Sequence, residues 1–104
     1  MHIQINTDKN VEGSDAFADQ TKDIIESTLN RFSEHITRVE VHLSDENSDK
    51  ADINDKRCLM EARLEGRQPI AVTHRAANPD LAVRGAAEKL KHMIESTLGR
   101  LDNH

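Results

Sequence analysis

The order in which the hydrophobic spacing changes along the chain constrains the fold more than any other feature of the sequence. Four short segments alternate apolar and polar residues, which is typical of strands with one buried face. Two longer segments carry apolar residues three or four positions apart, which indicates helices with one buried side. In 104 residues this pattern predicts one domain, residues 1–104, with an α+β fold of two layers, a four-stranded sheet with both helices on one face. The predicted order is β-α-β-β-β-α, with strands at 2–6, 36–43, 57–65 and 69–74 and helices at 15–34 and 79–101.

Both predicted helices begin with residues that favour a helix start. Ser14 is a suitable N-cap for the first helix. Asn78 and Pro79 combine an N-cap with proline at the first helical position of the second. Gly85 disfavours the helix by up to about 1 kcal/mol relative to alanine, so we expect it to mark close packing on the sheet.

Aromatic side chains are nearly absent. They make up 2% of the chain, as Phe17 and Phe32, and neither Tyr nor Trp occurs. The core is therefore expected to consist of aliphatic side chains, methionine and alanine. Stacking on single-stranded bases is not an available mode of nucleic-acid binding.

The expected compartment follows from the N-terminus, the hydropathy and the single cysteine. Residues 1–10 lack a basic start followed by an apolar run, and no stretch of about 18 apolar residues occurs, so we expect neither a signal peptide nor contact with a membrane. Cys58 cannot form an internal disulfide and alternates with other apolar residues of the third strand, which suits a core position in a reducing compartment. We predict a cytoplasmic protein.

Residues suited to catalysis or metal binding do not form a recognisable pattern. Asp45 opens a D-x-N-x-D sequence, but Lys50 and Lys56 stand where a calcium loop needs glycine and glutamate, so 44–56 is expected to be a surface loop. The six histidines include no i, i+4 pair, and one cysteine cannot supply a thiolate cluster. No nucleophile elbow or phosphate-binding glycine loop occurs. We predict no enzyme, no cofactor, no metal site and no small-molecule substrate.

The charge is unevenly distributed between the two parts of the chain. Residues 1–56 hold six Lys/Arg and thirteen Asp/Glu, whereas residues 57–100 hold eight Lys/Arg and five Asp/Glu. This distribution is compatible with random scatter or with a molecule that has one face able to approach phosphates.

The second helix is the candidate for a basic surface. Its basic residues can lie on both sides of the packed surface, and Arg75 just before the helix can join them at RNA phosphates. The alternative is a solvated helix, because Glu88 can pair at i, i+3 and i, i+4. The basic residues of this helix are Arg84, Lys89, Lys91, His92 and Arg100.

A short sequence occurs near the end of both helices. Residues 25–32 and 94–101 share six of eight identities. The simpler interpretation is equivalent packing of the two ends, with Leu29 and Leu98 inward. The other interpretation makes Arg31 and Arg100 a matched pair that can bind phosphate at the helix C-termini.

The whole chain resembles the ribosome hibernation promoting factors and ribosome-associated inhibitor A, a family that also includes the sigma-54 modulation proteins. The element order matches, and the segments that carry the likeness have the family's order and spacing. The same α-β-β-β-α portion resembles double-stranded RNA-binding domains, but residues 79–83 are acidic and apolar where those domains need lysines. The segments that resemble the hibernation factors are 39–47, 55–58, 61–66, 70–72, 80–83 and 86–90.

This resemblance implies a short-form hibernation factor that binds the small ribosomal subunit where mRNA and tRNA would sit and silences translation under stress. It implicates Lys89 and Lys91 in contact with 16S rRNA most directly, Arg84 and His92 less so, and Arg31 loosely. It implies no DNA partner, and a monomer or weak homodimer.

The first helix departs from the family's basic character. It carries five acidic residues against Lys22 and Arg31. The alternative function is therefore a non-catalytic protein-interaction or regulatory module that keeps the fold, has lost RNA binding and presents an acidic surface to a basic partner.

Overall fold

The computed structural model describes residues 1–8, 11, 13–45 and 56–102, with side chains described as far as Gly99. The order β-α-β-β-β-α predicted from the hydrophobic spacing is confirmed. Most of the predicted surface loop lies outside the described residues. The elements are β1 His2–Thr7, α1 Asp15–Leu29, a 3-10 turn Asn30–Phe32, β2 Ile36–Asp45, β3 Lys56–Leu64, β4 Ile70–Ala76 and α2 Pro79–Asp102.

The four strands form one mixed sheet in the order β1-β2-β3-β4. β1 runs parallel to β2, and the other two pairs are antiparallel. The parallel pair requires a crossover, which α1 supplies between β1 and β2. Val41, Met60 and Val72 are direct neighbours across three strands. The alternating apolar residues of these strands therefore lie on the same face of the sheet.

The core lies between that sheet face and the two helices. Leu29 and Leu90 are fully buried on the helices, and Val39 and Met60 are fully buried on the sheet. Of the two phenylalanines, Phe32 is buried in the core and Phe17 is only partly buried. The rest of the core is mainly aliphatic, as expected from the composition. Among the described residues, none of the helices has the length and apolar composition needed to cross a membrane.

The end predicted for the first helix is wrong. The spacing predicts α1 to residue 34, whereas α1 ends at Leu29 and a 3-10 turn follows. The amide of Ser33 donates to the Asn30 carbonyl at 3.1 Å and that of His35 to the Phe32 carbonyl at 2.9 Å. This tighter winding keeps Phe32 in the core while the chain reverses into β2.

The predicted N-caps and the close approach at Gly85 are confirmed. The Ser14 hydroxyl accepts from the Phe17 amide at 3.1 Å, and Asn78 Oδ1 accepts from the Leu81 amide at 2.9 Å. The imidazole of His74 in β4 occupies the space that a Cβ at position 85 would take. Glycine therefore lets α2 lie against β4.

The last strand extends further than predicted, and this changes the environment of one candidate residue. β4 continues past residue 74 because Arg75 and Ala76 still pair with Arg57 and Lys56 of β3. Arg75 is therefore a strand residue and does not lie in a connection next to α2.

Candidate nucleic-acid interface

The basic residues on the outer side of α2 are paired with acids of the same helix. Arg84 Nε lies 2.9 Å from Asp80 Oδ2. Lys91 Nζ lies 3.6 Å from Glu88 Oε2, and His92 Nε2 lies 4.0 Å from the same oxygen. These are the i, i+3 and i, i+4 pairs expected for a solvated helix. Exposed pairs of this kind contribute about 0–1 kcal/mol, so a phosphate can displace the carboxylate.

Lys89 lies on the opposite side of α2, beside the sheet edge. Its Nζ donates to the backbone carbonyl of Thr73 in β4 at 2.9 Å. In the described part of the chain no carboxylate lies within 4.0 Å of this ammonium group, and the side chain is exposed. The basic residues of α2 therefore flank its buried stripe on both sides, as the helical spacing predicts.

Arg31 lies at the far end of the molecule, where the two related sequences meet. Its guanidinium carbon is 5.0 Å from the centre of the Phe32 ring, within cation–π range. It borders a cavity of about 390 Å³ that is also lined by Leu98 and Gly99. Leu29 is fully buried and Leu98 half-buried, so both pack inward as the repeated sequence predicts. The side chain of Arg100 lies outside the described residues, so its pairing with Arg31 stays a prediction.

The alternating polar residues of the four strands form the other face of the sheet, which points away from the helices and is here called the open sheet face. Arg75 lies on it, directly opposite Arg57. The structure therefore separates Arg75 from the α2 residues, and the predicted RNA-binding residues do not form one patch. The charged residues of the open sheet face are Arg38, Glu40, Arg57, Glu61, Arg63 and Arg75.

Three of these arginines were missed when the sequence alone was considered. Arg38, Arg57 and Arg63 lie in the polar phase of β2 and β3, so the alternation already indicated an outward position. Their grouping depends on the register of β2 against β3, which the alternation does not determine.

The outer side of α1 is acidic. In the described residues none of its carboxylates forms an ion pair, and Lys22 is the one basic residue of the helix. This surface repels phosphate and lies on the other side of the sheet from the open sheet face. It adjoins the Arg84 flank of α2, because Gln20 Nε2 of α1 donates to Asp80 Oδ1 at 3.1 Å. The exposed acids of α1 are Asp15, Asp19, Asp23 and Glu26.

The thiol of the chain has the properties of a core side chain. Cys58 is fully buried, and burial raises its pKa from 9.0 to about 12, while the neighbouring Arg57 lowers it by less. A protonated, inaccessible thiol is a poor nucleophile. Within the ranges that the structure describes, no three histidine, cysteine or acidic side chains come close enough to hold a metal ion.

Comparison with known proteins gives both a family match and a fold match. The family model described as sigma 54 modulation protein / S30EA ribosomal protein matches residues 3–102. The N-terminal domain of Protein Y from Thermus thermophilus is 22% identical, with a TM-score of 0.67 over 93% of this chain and 99% of that one. A ribosomal subunit interface protein from Coxiella burnetii is 18% identical, with a TM-score of 0.70 over 95% of this chain and 99% of that one. No curated protein matches the sequence.

Proposed function

This chain belongs to the family of sigma-54 modulation proteins and S30EA ribosomal proteins, and we propose that it is a non-catalytic factor that associates with ribosomes in the cytoplasm. The match over residues 3–102 carries this proposal. The likeness in fold to a ribosomal subunit interface protein supports it. The buried, protonated Cys58 is not available as a nucleophile, which agrees with a non-catalytic role.

We further propose that the protein binds the small subunit near the channel for mRNA and tRNA and silences translation by occupying it. The folded domain provides the bulk, and the flanks of α2 contact 16S rRNA phosphates. Lys89 is the best placed of these residues, since it is exposed and its charge is not balanced by a nearby carboxylate in the described chain. Lys91, Arg84 and His92 would exchange an exposed carboxylate for a phosphate on binding.

Arg31, Arg75 and Arg100 have secondary roles in this proposal. Arg31 is exposed at the end of the molecule, and Arg75 points from β4 to the open sheet face, whereas Lys89 lies beside the edge of that strand on the helix side. They would contact different parts of the RNA or different ribosomal elements.

Co-sedimentation with purified small subunits, large subunits and whole ribosomes tests the proposal at low and near-physiological salt. We expect the wild-type protein to sediment with small subunits, and the pair Lys89→Glu and Lys91→Glu to abolish this association. Reversing the charge at a phosphate contact removes attraction and adds repulsion, so the loss should be about tenfold or more.

The matched control is the pair Lys22→Glu and Arg67→Glu, which makes the same change in net charge at two exposed positions off α2. Circular dichroism melting of both pairs separates lost binding from lost folding. Equal loss of association in the two pairs would contradict a role for the α2 flanks, and absence of the wild-type protein from every ribosomal fraction would contradict ribosome association itself.

The unpaired acids of α1 favour a second candidate function, a regulatory module that binds a basic protein. Asp19 and Asp23 lie one turn apart, both exposed. Under this alternative the pair Asp19→Lys and Asp23→Lys breaks the partner contact, and the reversal at Lys89 and Lys91 has no effect. Crosslinking of the tagged variants in cells, read against the wild type, distinguishes the two functions.

A further inference from the structure

The open sheet face has the most positive charge of the surfaces that the structure describes. It carries four arginines against two glutamates, whereas the described part of α1 carries four acids against one lysine. The buried phase of the same strands packs on the helices, so this face is exposed on the other side of the sheet. A shallow cavity of about 390 Å³ opens on it beside Arg57, His42 and Leu59, and the carboxylate of Asp8 lines its rim.

Residues of like charge stand directly opposite each other across this face. Arg38 pairs in register with Arg63, and Glu40 pairs with Glu61. Arg57 pairs in register with Arg75. Like charges in direct cross-strand positions are destabilising, by a few tenths of a kcal/mol to about 1 kcal/mol per pair. The direct cross-strand pairs by themselves therefore do not stabilise the sheet.

Charge compensation runs along the strands instead of across them. Arg38 Nη2 lies 2.8 Å from Glu40 Oε1, and Arg63 Nε lies 3.6 Å from Glu61 Oε1. The Arg63 side chain is 57% exposed and that of Arg38 is 38% exposed. Arg38 Nη2 also donates to Gln4 Oε1, so the Arg63 guanidinium is the more accessible of the two to a ligand outside the sheet.

The two arginine rows are separated by a distance that suits a double-stranded ligand. Arg57 and Arg63 are six residues apart on β3, which places the rows about 20 Å apart at the usual rise per strand residue. Two parallel rows of positive charge on a broad, gently twisted surface can contact two separate lines of phosphates. A single extended strand of nucleic acid has only one such line.

Between the rows the face offers hydrogen-bonding groups but no Phe, Tyr or Trp side chain. Asn6, His42, Leu59 and Thr73 form the row next to Arg57 and Arg75, in direct register. The imidazole of His42 and the arginine planes are therefore the groups of this face on which a base could stack, so recognition relies mainly on the sugar–phosphate backbone and its shape.

We propose that the open sheet face binds the sugar–phosphate backbone of double-helical RNA, as a surface distinct from the α2 flanks. Arg38 and Arg63 form one contact row, and Arg57 and Arg75 form the other. Arg57 and Arg75 make further contacts within the protein, so the experiment uses the first row. The inference extends the proposed ribosome association, but it concerns RNA itself and is tested without ribosomes.

The test is titration of the ¹⁵N-labelled protein with an RNA hairpin whose stem exceeds one helical turn, followed by NMR and by fluorescence anisotropy over a range of salt. Amide shifts should concentrate in β2, β3 and β4. The pair Arg38→Gln and Arg63→Gln should weaken binding about tenfold at low salt and reduce the magnitude of the salt slope by about two, one for each lost phosphate contact. The control pair, Lys22→Gln and Arg67→Gln, should leave both quantities close to the wild type.

A second variant keeps the test decisive if loss of Arg38 disturbs the sheet. Glu40→Gln with Glu61→Gln removes the two negative charges of the face and should tighten hairpin binding at least severalfold. Shifts confined to α2, equal losses in the test and control pairs, no gain from the glutamate substitutions, or no binding at low salt would each overturn the proposal.

The outcome also separates this inference from the proposed function. Hairpin binding at the sheet without co-sedimentation would leave the inference standing and contradict ribosome association. Co-sedimentation that is unaffected by Arg38→Gln and Arg63→Gln, together with an unchanged hairpin affinity, would contradict this inference and leave ribosome association standing.

Discussion

At the scale of single residues, Cys58 shows how burial determines chemistry. Its side chain lies on the helix-facing side of β3, next to Met60 in the same apolar phase. The alternation of the third strand predicted this position from the sequence. The size of the rise in the pKa of Cys58 did not follow from the sequence, because it depends on how completely α2 and the neighbouring strands exclude water from the thiol.

The raised pKa of Cys58 predicts a loss of stability at alkaline pH. In the unfolded chain the thiol ionises near pH 9, whereas in the folded protein it stays protonated until about pH 12. Unfolding therefore releases a proton between these values, and the free energy of unfolding falls by up to about 1.4 kcal/mol per pH unit. Below pH 9 this contribution is fully present.

Urea unfolding of the wild type and of Cys58→Ala from pH 8 to pH 11 measures this effect. We expect the difference in unfolding free energy between the two proteins to shrink as the pH rises above 9, because the alanine variant has no thiol to ionise. A difference that is constant with pH would contradict a protonated, buried thiol. Slow reaction of the native wild type with iodoacetamide, compared with the urea-unfolded chain, is an independent check.

At the scale of elements, the contact between α2 and β4 depends on Gly85. The sequence indicated that this glycine marks close packing, and the structure identifies the neighbour as the His74 ring. A methyl group at position 85 must displace that ring or move the helix. Gly85 and His74 are both half-buried, and we expect either change to cost about 1–3 kcal/mol.

The variant Gly85→Ala should therefore be less stable than the wild type, even though alanine is the better helix former by about 1 kcal/mol. In a chain that already carries His74→Ala the same substitution should be neutral or stabilising, because the clash is gone. Thermal and urea unfolding of the four proteins form a double-mutant cycle. Additive effects of the two substitutions would contradict the contact.

The elements differ in how well the sequence predicts them, for physical reasons. The strands and both helix starts follow from period-two alternation and from side-chain caps, which are local. The end of α1 does not, because residues 30–34 continue the polar pattern of a helix while the need to bury Phe32 tightens the backbone into a 3-10 turn. The extent of β4 depends on β3, since Arg75 belongs to the strand only through its pairing with Arg57.

At the scale of the whole molecule, the uneven charge of the sequence becomes a difference between faces. The acidic first part supplies α1, but it also supplies Arg38 in β2 to the open sheet face. The basic second part supplies Arg57, Arg63 and Arg75 to the same face, and Lys89 to the edge of α2. The sequence predicted the imbalance, whereas the register of the sheet determines which faces carry it.

The same register explains why the candidate site was only partly predictable. The positions of Lys89 and Lys91 on opposite flanks of α2 follow from helical geometry alone. The opposition of Arg38 and Arg63 requires the pairing of β2 with β3, which is a property of the folded sheet. Sequence reasoning therefore placed the interface mainly on α2, with Arg75 and Arg31 added, whereas the structure offers a second basic surface on the sheet.

The most direct test of the account is sedimentation of the wild-type protein with two preparations of small ribosomal subunits, one vacant and one loaded with mRNA and initiator tRNA. The account predicts association with vacant subunits and strongly reduced association with loaded ones, because the protein and the translation ligands would occupy the same channel. Equal association with both preparations would contradict the proposed location, and no association with vacant subunits would contradict ribosome binding.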